Sequence, residues 1–238
     1  MTKTTLVLLA SLFLLTICAF AQNNEFEIGA GGIFTPNLTA QVMEPGIATG
    51  VTCPINNPVC AQIPTRFHLG SRLAFEGAYG RRIIDAHAAS LYVELPVLGI
   101  PGRGPHPVSP LPNLPSGIAI FFSPLLPDDF SSVFITPSVK VKFLPGAAIA
   151  PFISAGGGVA LFNSVTTDAH GIAISHRNTT TGAFQVGGGV DIKTPIPRLG
   201  VRAEVREFLT GRPEFEPAVR FPDHLQNLFV GGGIVLRF

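Results

Sequence analysis

Residues 199–208 read Leu-Gly-Val-Arg-Ala-Glu-Val-Arg-Glu-Phe. In an extended chain Leu199, Val201, Ala203 and Val205 fall on one side, and Arg202, Glu204 and Arg206 on the other. Successive side chains of a strand point to opposite faces, so this period of two predicts a strand with one apolar and one ionic face. An ordinary soluble sheet turns its charged face to water. A chain with few charges has to place them with more care.

The same alternation recurs outward from this stretch in both directions. Towards the C-terminus, Leu228, Val230, Ile234, Leu236 and Phe238 oppose Asn227 and Arg237 over residues 227–238. Towards the N-terminus, Phe184, Val186, Val190 and Ile192 oppose Gln185 and Asp191 over 182–192, and Val133, Ile135, Val139, Val141 and Phe143 oppose Thr136, Ser138, Lys140 and Lys142 over 132–143. Residues 88–95 set Leu91, Val93 and Leu95 against Ser90, Tyr92 and Glu94. Residues 67–79 set Leu69, Leu73, Phe75 and Tyr79 against His68, Arg72 and Glu76. Residues 26–34 place Phe26, Ile28, Ala30 and Phe34 together, opposite Glu27, while glycine and alanine blur both faces of 152–162. These eight segments are long enough for tilted strands to cross a bilayer. Long connections (35–66, 96–131, 163–181, 209–226) alternate with short ones (80–87, 144–151, 193–198), which is the layout of a transmembrane barrel with surface loops and periplasmic turns.

Composition narrows the choice. The 238 residues are 46% hydrophobic and only 13% charged, with 26 glycines, 22 prolines and no tryptophan. That much glycine and proline disfavours a helical protein. Sixteen basic residues nearly cancel fifteen acidic ones, so there is no cationic excess for nucleic acid. A soluble up-and-down barrel of the lipocalin kind shares the alternation, but it needs a charged exterior that so few charges cannot furnish. Met1–Ala21 reads as a secretory signal, with Lys3 in the n-region, an uncharged Leu6–Phe20 core and Ala19-Phe20-Ala21 at the cleavage site. Its removal takes one base and one cysteine, leaving residues 22–238 formally neutral with two cysteines. Those two, Cys53 and Cys60, are expected to form a disulfide within the first long loop.

The chain end carries a resemblance. Leu228-Phe-Val-Gly-Gly-Gly-Ile-Val-Leu-Arg-Phe238 ends on an aromatic with apolar residues at alternate positions before it. Together with the signal segment and the eight alternating stretches, it resembles the small eight-stranded outer-membrane β-barrels of the OmpA/OmpX kind. The resemblance implies an all-β, eight-stranded antiparallel transmembrane barrel in the cell outer membrane. It also implies a monomer surrounded by lipid, with Phe238 recognised by the outer-membrane assembly machinery. The chain departs from that family in having no tryptophan and two tyrosines for its aromatic girdles.

Strand parity assigns Glu27, Arg72, Glu76, Glu94, Lys140, Lys142, Asp191, Arg202, Glu204, Arg206 and Arg237 to one interior face. The bore of an eight-stranded barrel is just wide enough for side chains to fill it, so these charges are expected to pair across it. The rival expectation is a narrow ion or small-solute pathway that opens when pairs break. Some barrels of this size modify lipid, and the only cluster with suitable chemistry is Asp168, His170, Ser175 and His176 in the third long loop. A serine, a histidine and a carboxylate are the parts of a nucleophile, base and orienter for a lipid A hydrolase. No motif fixes their geometry, so the chain is not expected to be an enzyme. No cofactor or metal is expected. The expected role is structural or interactive, with a possible surface ligand at the long loops, the second of which carries Pro101, Pro105, Pro107, Pro110, Pro112 and Pro115.

Overall fold

The computed structural model describes residues 24–35, 38–43, 62–68, 71–102, 106–107, 129–167, 173–212, 219–220 and 223–238. Eight wall strands follow in chain order: β1 (Asn24–Phe34), β2 (Ser71–Asp85), β3 (Ala89–Ile100), β4 (Asp129–Ile135 and Ser138–Phe143), β5 (Ile149–Thr167), β6 (Ala173–Lys193), β7 (Leu199–Gly211) and β8 (His224–Arg237). Each pairs antiparallel with its sequence neighbours, and β1 also pairs with β8 from Glu25↔Arg237 to Phe34↔Leu228, so the sheet closes on itself. Reciprocal backbone hydrogen bonds of 2.9 and 3.0 Å between Asn24 and Phe238 finish the seam. Closure removes every free edge of the wall, which is what a strand needs where water cannot satisfy its backbone.

Strand β4 is interrupted at Thr136–Pro137, yet its register is unbroken: Ile135 faces Val97 and Ser138 faces Glu94 on β3. The break has a local cause, since Pro137 has no N–H to give the ladder. Thr136 keeps a backbone bond to the Pro96 carbonyl (3.3 Å), and the Pro137 carbonyl accepts from Gly157 (3.1 Å). The β3–β4 and β5–β6 chains therefore keep their inward and outward parity through three proline positions, Pro96, Pro137 and Pro151.

The connections at the end holding both termini are tight. Residues 86–88, 144–148 and 194–198 join the strands there, with Leu144 (φ 47°) and Arg198 (φ 68°) in the left-handed region. At both ends the walls run further than sequence spacing implies. β2 reaches Asp85, so the expected turn over 80–87 is mostly strand, and β3 continues through Pro96 to Ile100. β5 and β6, of 19 and 21 residues, form a hairpin that leaves only 168–172 between them, where a loop over 163–181 was expected. The first wall residue after the first loop is Ser71, because Gln62–His68 pairs elsewhere: with Leu38–Met43, which pairs with Val219–Arg220, and with His106–Pro107. A short four-stranded ladder thus ties the first, second and fourth loops together.

The outward face is apolar around the wall. Phe26, Ile28, Leu73, Phe75, Val93, Val139, Ile153, Phe184, Val201, Val205, Val230 and Ile234 are all exposed, Ile28 to 64% and Ile234 to 57%. So much contiguous exposed hydrocarbon is far beyond what a water-soluble surface carries, and it forms the lipid-facing band of a barrel. Glycine serves the opposite side at one crowded level. A Cβ on Gly231 would lie 2.3 Å from the Phe229 ring, and one on Gly31 would lie 2.4 Å from the Val230 carbonyl oxygen. The bare backbone of β1 and β8 makes room for an inward phenyl ring.

Two substitutions test this arrangement in barrels refolded into phospholipid vesicles. Ile234→Arg is expected to lower unfolding free energy by about 2–4 kcal/mol if it lies near the bilayer midplane. Gly231→Val, which drives a side chain into Phe229, is expected to lower the urea midpoint as well, while an exposed turn change such as Ala148→Ser leaves it unchanged.

Candidate functional site

The interior is the candidate site, and it is built in two storeys. The lower one, towards the turns and termini, is ionic. Alternation along β7 aims Arg202, Glu204 and Arg206 inward; β1 supplies Glu25 and Glu27, β2 Glu76, β3 Glu94, β4 Lys140 and Lys142, and β6 Asp191, all of them buried. The Arg202 guanidinium is the hub. It donates to Asp191 from Nε (2.7 Å) and Nη2 (3.2 Å), to Glu25 from Nη2 (2.9 Å), and to Glu27 (2.5 Å) and Glu94 (3.4 Å) from Nη1. The planar fork of arginine suits this, because its five donors serve several carboxylates from one buried charge.

The two lysines of β4 complete the lattice. Lys140 bridges Glu25 and Glu94, and Lys142 bridges Glu25 (2.8 Å) and Asp191 (2.6 Å). Asp191 also meets half-exposed Arg237 at 3.3 Å. Aromatic rings line the cations: Lys140 and Lys142 lie 4.9 and 4.5 Å from the Tyr92 ring centroid, and Arg202 lies 4.7 Å from that of Phe152. These faces carry the negative part of the ring quadrupole, so they add to the attraction without a further charge. Above the lattice, Arg206 pairs with Glu76 (2.7 Å) and Glu204 (2.7 Å).

The upper storey, towards the loops, is an apolar core inside the barrel. Ile33, Leu98, Phe134, Phe208, Leu225 and Phe229 are buried there together with Phe130 and Phe162. Phe130 and Phe162 stack at 5.6 Å, Phe162 meets Phe134 edge-on at 6.1 Å, and Phe134 meets Phe208 at 5.0 Å. Arg72 belongs to this level: it donates to the Phe130 carbonyl (2.9 Å) and sits 5.1 Å from the Phe130 ring centroid. The expectation of salt bridges in place of an apolar core is therefore corrected for half the bore. The charges sit at parity positions below β7 residue 206, and the same parity above it carries phenylalanine.

A cleft opens at each end. The one beside the turns holds about 100 Å³ and is lined by Asn24, Glu25, Tyr92, Lys142, Asp191 and Arg237 among others. The one at the loop end, against Ile33, Arg72, Phe130 and Phe134, holds about 10 Å³, room for a single water. The two share no lining residue.

Glu25, which touches Arg202 and both lysines, is absent from the interior set expected from sequence. It lies two residues before Glu27 on the same face, and strand parity extended by one more residue pair finds it. The remaining expected residues fall elsewhere. Ser175 and His176 are on strand β6, opposite Thr166 and Val165 of β5, rather than in a loop, and His176 is exposed. Asp168 and His170 lie outside the described residues, as do Cys53 and Cys60. Phe238 is partly exposed and its backbone closes the β1 seam.

Comparison with solved structures places this architecture. The outer membrane protein OprG of Pseudomonas aeruginosa aligns with a TM-score of 0.51 over 92% of this chain and 97% of its own, at 9% identity. This is the fold of an outer-membrane β-barrel. Neisserial surface protein A aligns over 90% of this chain and 97% of its own (TM-score 0.46, 16% identity), and the outer membrane protease OmpT of Escherichia coli over 92% and 97% (TM-score 0.47, 9% identity). No protein-family model and no curated protein sequence matches the chain.

Cutting the hub separates ionic from aromatic contributions. Arg202→Met strands four carboxylates that have lost their shared cation, and is expected to cost about 3–5 kcal/mol of unfolding free energy in vesicles. Phe134→Ala removes a ring shared by Phe162 and Phe208 and is expected to cost a similar 3–5 kcal/mol by cavity formation. Added salt is expected to leave the difference between wild type and Arg202→Met unchanged, because screening does not reach a buried lattice.

Proposed function

We propose that the protein is exported through residues 1–21 and resides in the outer membrane as a monomeric barrel with a structural or surface-interaction role, without catalytic activity. The observation that carries this reading is the filled bore. Among the described residues an ionic lattice and an aromatic layer lie in series between two clefts that share no lining residue, which supports a bore closed to solute. What remains available for recognition is the loop end, where the β5–β6 hairpin extends and a ladder joins three loops. The apolar outer band supports lipid as the surrounding medium, and the β8 strand ending at Phe238 supports delivery by the outer-membrane assembly machinery.

Two measurements test the proposal. Fractionated cells are expected to hold the protein in the outer membrane, with a folded band on unheated gels that shifts on boiling; recovery from the soluble periplasm overturns it. In planar bilayers the purified barrel is expected to give no resolvable current, whereas the double substitution Phe134→Ala and Phe208→Ala, which thins the aromatic layer, still leaves the lattice in place and the barrel closed. Steady single-channel steps from the wild-type protein would establish the narrow-channel reading instead.

A further inference from the structure

The interior ion pairs separate by partner into two groups with different charge. Glu25, Glu27, Glu94 and Asp191 answer Lys140, Lys142, Arg202 and Arg237, four acids to four bases. Arg206 stands between Glu76 and Glu204, one base to two acids. The ionic storey is thus short of one positive charge, and the shortage is localised at the Glu76–Arg206–Glu204 group; the sixth inward base, Arg72, is engaged in the upper storey by the Phe130 carbonyl and ring. Both carboxylates are more than nine-tenths buried, and Oε1 of each has no hydrogen-bond partner, although Oε1 of Glu76 lies 2.7 Å from Arg206 Nη1 as an ion pair. Carboxylate oxygens of Glu76, Glu204 and Glu27 all lie within 4.8 Å of one another.

We propose that Glu76 and Glu204 form a buried proton-binding site, one carboxyl holding a proton that it donates to the other. Two carboxylates sharing one site cannot both remain ionised without a compensating charge, and here the fixed cations are already committed. The charged groups around the pair have partners of their own: Glu27 of β1 with Arg202, Glu25 of β1 and Asp191 of β6 with Arg202 and Lys142, Glu94 of β3 with Arg202 and Lys140 of β4, Arg237 of β8 with Asp191, and Arg72 of β2 with the Phe130 carbonyl and ring; the inward residues of β5 at this depth, Phe152 and Ser154, carry no charge. A metal ion fits less well. Arg202 is bonded to Glu27, and Arg206 to Glu76 and Glu204, so two guanidinium charges already stand against the same carboxylates and would repel a cation. With the proton in place the group becomes neutral, and the unpartnered oxygen of Glu204 gains a donor.

The test compares two isosteric substitutions in barrels refolded into vesicles at neutral pH. Glutamine mimics a protonated glutamate, so Glu76→Gln is expected to keep or raise the urea midpoint. Glu27→Gln, which discharges a carboxylate bonded to Arg202, is expected to lower it. The wild-type infrared spectrum is expected to show the carbonyl stretch of a protonated carboxylic acid at neutral pH, and Glu76→Gln is expected to abolish it. The absence of that band from the wild-type protein overturns the proposal whether or not the variants fold, as does a midpoint loss in Glu76→Gln equal to that in Glu27→Gln. A midpoint that falls with chelator and recovers with magnesium or calcium assigns the site to a metal and overturns the proton.

Discussion

Arg202 is buried away from bulk solvent, and much of the molecule follows from that. A guanidinium confined in a bore eight strands wide needs acceptors at fixed positions on several walls, and it finds them on β1, β3 and β6. Those acceptors in turn require Lys140 and Lys142 from β4. Because the partners come from β1, β3, β4 and β6, the lattice is satisfied only when the wall closes in one register. A one-residue slip of any strand would turn its charges towards lipid and its valines inward. The ionic core is thus weak evidence for stability in itself and better understood as a device that fixes register. The aromatic storey above it supplies packing of the ordinary kind, with phenylalanines from β4, β5, β7 and β8 meeting on the axis.

The low charge of the chain acquires a meaning in this arrangement. Buried charges sit below the level of Phe208 on the inner face, and the outer face at the same height is valine, isoleucine, leucine and phenylalanine. A chain that must expose hydrocarbon to lipid and fill a narrow bore has few positions where an ion is tolerated, and nearly every one of those used has an opposite partner. The triple glycines fit the same geometry. Gly231 and Gly31 yield the space that Phe229 occupies, so glycine on two strands is the complement of a ring on one of them.

Much of this was legible in the sequence, and the exceptions are instructive. Period two gave the inward placement of Arg202, Glu204 and Arg206, because one unbroken strand keeps its parity along its length. The same rule, carried past the last polar residue, also puts Phe208 and Phe229 inside; attention to charge alone hid the aromatic storey. Glu25 was missed because the strand was begun at Phe26, one residue short. Proline misled at Pro96, taken as the start of a loop although β3 continues through it to Ile100, whereas the alternation over 132–143 reads through Pro137 and the register persists there too. The pairing of Gln62–His68 with Leu38–Met43 and His106–Pro107 is a contact between loops distant in sequence, and no local pattern encodes it. Ser175 and His176 read as part of a loop because threonine- and asparagine-rich strands read as loops; β6 runs through these two residues.

The ionic face of β7 is sealed from both lipid and water. Solid-state NMR of the unmodified protein in bilayers tests it directly, by magnetisation transfer from water and from lipid acyl chains to residues 201–206. The account predicts strong lipid transfer to Val201, Ala203 and Val205, and neither rapid water transfer nor lipid transfer to Arg202, Glu204 and Arg206. Rapid transfer from water to those three side chains would contradict it, because it would mean a hydrated bore.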